Sequence, residues 1–279
     1  MSDKGPPRSW LFVPADSDKK IANALASDAD ALIFDLEDSV VPEQKAAARD
    51  LLKNLPARSG GPEWWVRINP LGSDQLKADL KLLASADFTG IVLPKAESGA
   101  DVTQLAHRTG NVPIHAIVTE TAASLFGLLS YRDAKSPLAA MSWGAEDLSA
   151  ALGASSKHDA DGDLAFTYKL ARSLCLAGAA AAGVQPVDGV FADYKDDDGL
   201  EIEARAAASE GFTGKLAIHP AQVPVINAAF TPSKFEVAHA RVIVAAFDAN
   251  PSAGVLSVGG KMVDRPHLIQ AQRVLARTR

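Results

Sequence analysis

The sequence is short of most features that mark a special environment. Among 279 residues there is one cysteine, Cys175, which excludes an internal disulfide framework, a cysteine-only zinc site and any CxxC redox pair. The longest hydrophobic run, Leu174 to Val184, is rich in Ala and Gly and falls short of the roughly 20 residues a membrane span needs. The opening MSDKGPPRSW lacks the apolar segment of a secretory signal, so the expectation is a cytoplasmic protein with no membrane partner. Excess charge is also scarce: 28 Lys and Arg against 34 Asp and Glu leave a net charge of −6, which gives no reason to expect nucleic acid as a partner. Ordinary core material is abundant. Hydrophobic residues make up 47% and charged residues 22%, the balance of a compact protein rather than a disordered one.

Short apolar runs recur with helical patterns between them. Ser9–Pro14, Ala31–Asp38, Trp64–Asn69, Gly90–Lys95, Ile114–Glu120, Leu138–Gly144, Val187–Asp193 and Lys215–Pro220 read as eight strands. Each is near-continuously apolar and ends in polar residues, the pattern of strands buried on both faces of a parallel sheet. Helices are expected over Lys19–Ser27 behind the caps Asp16 and Ser17, over Gln44–Leu55 after Pro42, over Asp74–Leu83, and over Phe166–Ala182 with Gly183 as its stop. Eight strands alternating with helices argue for an α/β fold, a (β/α)8 TIM barrel spanning residues 1–230. An open doubly wound sheet competes, but no GxGxxG follows the first strand. Residues 231–279 exceed what eight units need. They read as a C-terminal helical extension or lid: a helix over Lys234–Ala249, an irregular stretch over Gly254–Pro266, and a last helix from about His267 to the end.

In such a barrel the chemistry sits at the C-terminal ends of the strands. That rule gathers Asp35, Glu37 and Asp38 after strand 2, Arg67 and Asn69 on strand 3, and Lys95 after strand 4. It adds Glu120 after strand 5, Glu146 and Asp147 after strand 6, Asp193 after strand 7 and His219 after strand 8. Carboxylates crowded on one rim repel one another unless protons or a metal neutralise them. With no cysteine cluster and no paired histidines, oxygen ligands suit a hard cation such as Mg2+, which takes one or two protein carboxylates and fills its other positions with water and substrate. Glu120 and Asp147, on consecutive strand ends, are the natural pair.

Several features do not rise above structure. Cys175 lies in an Ala/Leu helix with no positioned base and reads as core, and His115 inside strand 5 reads as packed. Asp196–Asp198 misses the EF-hand spacing because Tyr194 stands where the first ligand should be. Gly254–Met262 fails as a P-loop, since Gly260 displaces the lysine and Met262 replaces Ser or Thr. Lys95 is a strand-end lysine, but beside so many carboxylates an ion pair within the rim is the preferred reading over a Schiff base.

Nine segments in order resemble the citrate lyase β-subunit-like group of the HpcH/HpaI aldolase superfamily, which includes malyl-CoA and citramalyl-CoA lyases. They are RSWLFVPA (8–15), DALIFDLEDSV (30–40), VRINP (66–70), GIVLPKAES (90–98), VTETAASL (118–125), WGAEDLSAALG (143–153), DGVFADYKDDDGL (188–200), GKLAIHPAQV (214–223) and GGKMVDRP (259–266). The resemblance implies a Mg2+-dependent barrel, with Mn2+ able to substitute, that makes or breaks a carbon–carbon bond beside a coenzyme A thioester. It implies Glu120 and Asp147 as metal ligands, Arg67 as the grip on substrate oxygens, and Glu37 and Asp38 as acidic support around the metal's waters. Asp264 would be a catalytic acid carried by the C-terminal segment onto a neighbouring subunit. Arg8 would lie near a coenzyme A phosphate, and Lys95 and His219 near the cofactor. A homotrimer or hexamer is expected. Two alternatives stay open: a malyl-CoA thioesterase, and a citryl-acyl-carrier-protein lyase subunit whose partner is an acyl carrier protein.

Overall fold

The computed structural model describes residues 5–58, 60–134 and 137–278. Eight parallel strands close into a barrel: β1 (Ser9–Pro14), β2 (Ala31–Asp35), β3 (Glu63–Arg67), β4 (Gly90–Leu93), β5 (Ile114–Ile117), β6 (Leu138–Ser142), β7 (Gln185–Asp188) and β8 (Gly214–Ala217). Closure is made by β8 against β1, with Ser9 opposite Lys215 and Leu11 opposite Ala217. All eight expected segments supply strands, but most ladders stop sooner than the apolar runs do. The physical reason is that the first loop residues remain buried: Leu36, Ile68 and Val118 are fully enclosed, and their N–H groups donate to Arg67, Val92 and Ser142 on the next strand along. The seventh strand is shifted back to Gln185–Asp188, so Asp193 lies in the following loop rather than at a strand end.

Around the barrel run α1 (Asp18–Leu25), α2 (Lys45–Lys53), α3 (Leu76–Leu83), α4 (Gly99–Thr109), α5 (Ser124–Gly127), α6 (Ala145–Leu152), α7 (Phe166–Ala182), α8 (Asp197–Glu210) and α9 (Gln222–Ala229). Ser17 caps α1 by accepting from the Lys20 N–H, and Gly183 ends α7 at φ +70°, a left-handed position that glycine takes without a Cβ clash. Alternation along each strand sends one set of side chains outward and the other inward. Outward residues such as Leu32, Phe34 and Val66 join the large core beneath the helices. Inward residues Trp10, Ile33, Trp65, Val92, Ile117, Val187 and Leu216 fill the barrel itself, so it is a packed core and not a pore.

The same alternation that sends Trp65 inward sends Arg67 inward two residues later, at the C-terminal mouth. Asp35 lies directly opposite it in the β2–β3 register. The barrel floor is thus apolar and aromatic, while its mouth is charged.

After the barrel closes, α10 (Lys234–Asp248) is capped by Ser233 and Glu236 in a reciprocal box. The stretch expected to be irregular is instead a hairpin, β9 (Val255–Val258) and β10 (Lys261–Asp264), turning at Gly259 and Gly260 with φ +57° and +77°. A Gly-Gly pair between two short runs is the signal for such a turn. The last helix, α11 (Arg265–Ala276), starts two residues earlier than expected, with Asp264 as its cap; Arg279 lies outside the described residues. Ala240, Ile243, Phe247, Val263 and Ala271 form a separate small core within this extension. No helix among the described residues is long and apolar enough to cross a membrane.

Candidate active site

The mouth of the barrel is organised around Arg67. Its Nε and Nη2 donate to the two oxygens of Asp35 at 2.7 and 2.6 Å, and Nη1 lies 2.9 Å from Glu37 Oε2. The guanidinium plane rests on the Phe12 ring, 4.8 Å from its centroid. Two of the five guanidinium N–H donors are spent on Asp35, and the ion pair with Glu37 adds charge without a hydrogen bond to Oε2. Burial alone would lower the charge affinity of Arg67, but Asp35 and Glu37 outweigh it and keep the guanidinium charged. Asp35 is in turn fixed by the backbone: its carboxylate accepts from the N–H groups of Glu37 and Ser39. Burial pushes Asp35 up, yet Arg67 overcomes it and holds this carboxyl below the usual range.

The loop after β2 is braced from behind. Lys45, buried at the start of α2, donates from Nζ to the carbonyls of Leu36 and Glu37 at 2.6 and 2.8 Å. Asn69 Nδ2 donates to the Leu36 carbonyl and to Asp79 Oδ2, and Arg49 Nε donates to Asp79 Oδ1. With its peptide held on that side, Glu37 turns its carboxylate to the mouth. There burial outweighs Arg67 and Lys95 and leaves the Glu37 proton affinity raised.

Glu120 and Asp147 approach from the next two strand ends. Glu120, 4% exposed, accepts from the Lys95 backbone N–H at 2.5 Å. Burial, with the charges of Asp147 and Glu37 added, pushes Glu120 up to about 8 in spite of that hydrogen bond and of Arg67. Gly144 makes room for it: a Cβ at position 144 would come within 3.1 Å of Glu120 Cγ. Asp147 projects from the first turn of α6, where negative charge is favoured by the helix dipole. The Lys95 ammonium bridges the carboxylates, 2.5 Å from Glu37 and 3.2 Å from both Asp38 and Asp147.

These groups fit a hard divalent cation. Glu120 and Asp147 offer oxygen donors only, and Glu120 owes its raised proton affinity first to burial and then to the nearby charges of Asp147 and Glu37. Among the described residues no three Asp, Glu, His or Cys side chains gather as a complete cage. The carboxylate oxygens of Glu120 and Asp147 are donors that Mg2+ takes alongside water and substrate, whereas structural zinc favours Cys and His.

Comparison with known proteins decides the family. Residues 8–220 match the HpcH/HpaI aldolase/citrate lyase family. The chain belongs to that family. It is 42% identical over 269 residues to a citrate lyase subunit beta-like protein of Mycobacterium tuberculosis, covering 96% of this chain and 94% of the relative. It is 35% identical over 276 residues to a (3S)-malyl-CoA thioesterase of Cereibacter sphaeroides, covering 98% and 94%. Among solved structures, CitE from Mycobacterium tuberculosis in complex with magnesium, acetoacetate and coenzyme A superposes with a TM-score of 0.84 at 39% identity, covering 99% of each chain.

For this member of the family, Glu37, Asp38, Arg67, Lys95, Glu120 and Asp147 come together at one mouth. His219 is on the same rim, exposed, with its ring stacked on Tyr194 at 4.5 Å and its Nδ1 accepting from the Ala221 N–H. Two expected residues do not join them. Arg8 precedes β1, at the opposite end of the barrel, where its guanidinium is engaged by Asp30 and Thr231. The strand-end rule that favours the other residues argues against it. Asp264 caps α11, its Oδ1 2.5 Å from His267 Nδ1, and its hydrogen bonds stay within the head of that helix. Lys45, Arg49 and Asp79 escaped the sequence reading, because charged residues on helices look solvated until the tertiary packing buries them.

Proposed function

We propose that this chain is a Mg2+-dependent carbon–carbon lyase acting on the coenzyme A thioester of a hydroxy-diacid, of the malyl-CoA, citramalyl-CoA or citryl-CoA type. The observation that carries the reading is the meeting of Glu120 and Asp147 beside a guanidinium that Asp35 holds through only two of its five donors. The family match and the magnesium and coenzyme A of the similar CitE structure support it.

Glu120 and Asp147 would hold the cation, with Glu37 and Asp38 accepting from its waters. Bound there, Mg2+ would supply Lewis-acid polarisation of the substrate's oxygens and a template for chelation. Arg67 does the rest of the electrostatic work: kept planar and charged by Asp35 and Glu37, it offers its remaining donors to the oxyanion that develops as the bond breaks. In the cleavage direction the bond between the hydroxyl-bearing carbon and the thioester methylene breaks, and its electron pair passes to the methylene carbon as a thioester enolate. The hydroxyl passes its proton to a carboxylate of the mouth and becomes a carbonyl. The enolate carbon takes a proton and becomes a methyl group. Glu120 and Glu37 are committed to the cation and its waters in this reading, and we assign this last transfer to Asp264 of a neighbouring subunit, in a homotrimer or hexamer whose extension covers the next site.

Hydrolysis of the thioester is the second reading, favoured by the 35% identity to a malyl-CoA thioesterase. A panel of acyl-CoA substrates with Mg2+ and mass spectrometry of both products separates the two. Acetyl-CoA and glyoxylate from malyl-CoA mark the lyase. Free coenzyme A and malate mark the thioesterase and overturn the first reading.

A further inference from the structure

Lys95 has a backbone conformation that no other non-glycine residue shares among those described: φ is +51°. A lysine gains nothing intrinsic from the left-handed region, so the turn needs a reason. Its result is that both ends of the residue act on the acidic mouth. The backbone N–H seats Glu120 Oε2, and the ammonium joins the loop after β2 to the first turn of α6 through Glu37, Asp38 and Asp147.

The two cations of the mouth differ in kind. Arg67 is locked on Asp35 and Glu37, and its side chain is 12% exposed. The Lys95 side chain is 29% exposed, and its ammonium is a compact, well hydrated charge on a flexible stem that water readily takes back. Asp35, Glu37, Asp38, Glu120 and Asp147 outnumber Arg67 and Lys95, so the mouth attracts further positive charge. The Asp147 oxygen that the ammonium touches, Oδ1, is one of the two that Asp147 could offer a divalent ion.

We infer that Lys95 is a built-in competitor for the divalent cation: its ammonium neutralises Asp147, Glu37 and Asp38 in the metal-free protein and must leave Asp147 for the ion to bind. The competition keeps the carboxylates from flying apart without metal, at the cost of weaker metal binding. The inference rests on the reading of Glu120 and Asp147 as ligands.

The test is calorimetric titration of Mg2+ into the full-length protein without substrate, for wild type, Lys95→Asn, Lys95→Arg and Asp147→Ala. Asparagine tolerates the left-handed backbone and keeps the N–H on Glu120. Lys95→Asn is expected to bind Mg2+ about tenfold tighter than wild type, the scale of one removed like-charge contact at a partly exposed site, whereas Lys95→Arg stays near wild type. Mg2+ should also raise the melting temperature of Lys95→Asn more than that of wild type, a readout independent of turnover. If Asp147→Ala loses Mg2+ binding while Lys95→Asn binds no tighter than wild type, the competitor role is wrong and the ligand reading stands. If neither wild type nor Lys95→Asn binds Mg2+, or Asp147→Ala binds it as well as wild type, the ligand reading falls and the competitor with it.

Discussion

At the residue scale, two side chains in one barrel show opposite uses of burial. Arg67 is surrounded by partners, and its value lies in a planar fork that lysine's point charge cannot copy. Arg67→Lys should lower kcat by roughly one to two decades, the equivalent of about 1.5–3 kcal/mol for a charged hydrogen bond. Steady-state kinetics checks this, and wild-type rates in the lysine variant would make Arg67 a purely structural residue. His115 is the reverse case. It is fully buried among Trp10 and Trp65, its ring 4.6 Å from that of Trp10, and neither ring nitrogen has a partner. Burial alone pushes it down to about 3 from an ordinary 6.5. The unfolded chain therefore binds this proton more readily than the folded one. Its contribution is fully present above pH 6.5 and is lost as pH falls from 6.5 toward 3, by up to about 1.4 kcal/mol per pH unit. Denaturant titrations of wild type and His115→Leu at pH 7 and pH 5 should show the variant losing less stability on acidification. Equal losses would contradict the assignment.

At the scale of elements, the barrel strands were readable because each is a short, doubly buried apolar run between helical patterns. Their ends were not, because Leu36, Ile68 and Val118 continue the burial after the ladder stops. The strand-end rule then located Glu37, Arg67, Lys95, Glu120 and Asp147 without any contact information. What it could not supply was the bracing: that Asp35 spends both oxygens on Arg67, or that Lys45 on α2 holds two loop carbonyls. Those facts depend on how helices pack on the barrel, which one chain's periodicity does not encode. The C-terminal hairpin places Asp264 at the head of α11 and away from its own mouth. If the extension serves a neighbour, inactive Asp264→Asn protein mixed with inactive Asp147→Ala protein, under conditions that exchange subunits, should regain activity, since some mixed sites then hold both groups. Verified exchange with no recovery would confine Asp264 to its capping role.

At the scale of the whole molecule, the two ends of the barrel divide the work. The floor, with Trp10, Trp65 and His115, is apolar and closed. The mouth gathers more carboxylates than Arg67 and Lys95 can pair, and a bound divalent ion or a proton relieves the excess. The account thus ties turnover to one ion held by Glu120 and Asp147, in a cleft that leaves its remaining positions to substrate. The most direct measurement is malyl-CoA cleavage, followed by acetyl-CoA and glyoxylate formation, in the presence of Mg2+, after removal of Mg2+ with excess EDTA, and after its restoration. The account predicts that cleavage stops with EDTA and returns with Mg2+ in the wild-type protein, and that Asp147→Ala is inactive throughout while retaining its fold. Full cleavage in excess EDTA, or by Asp147→Ala, would contradict it.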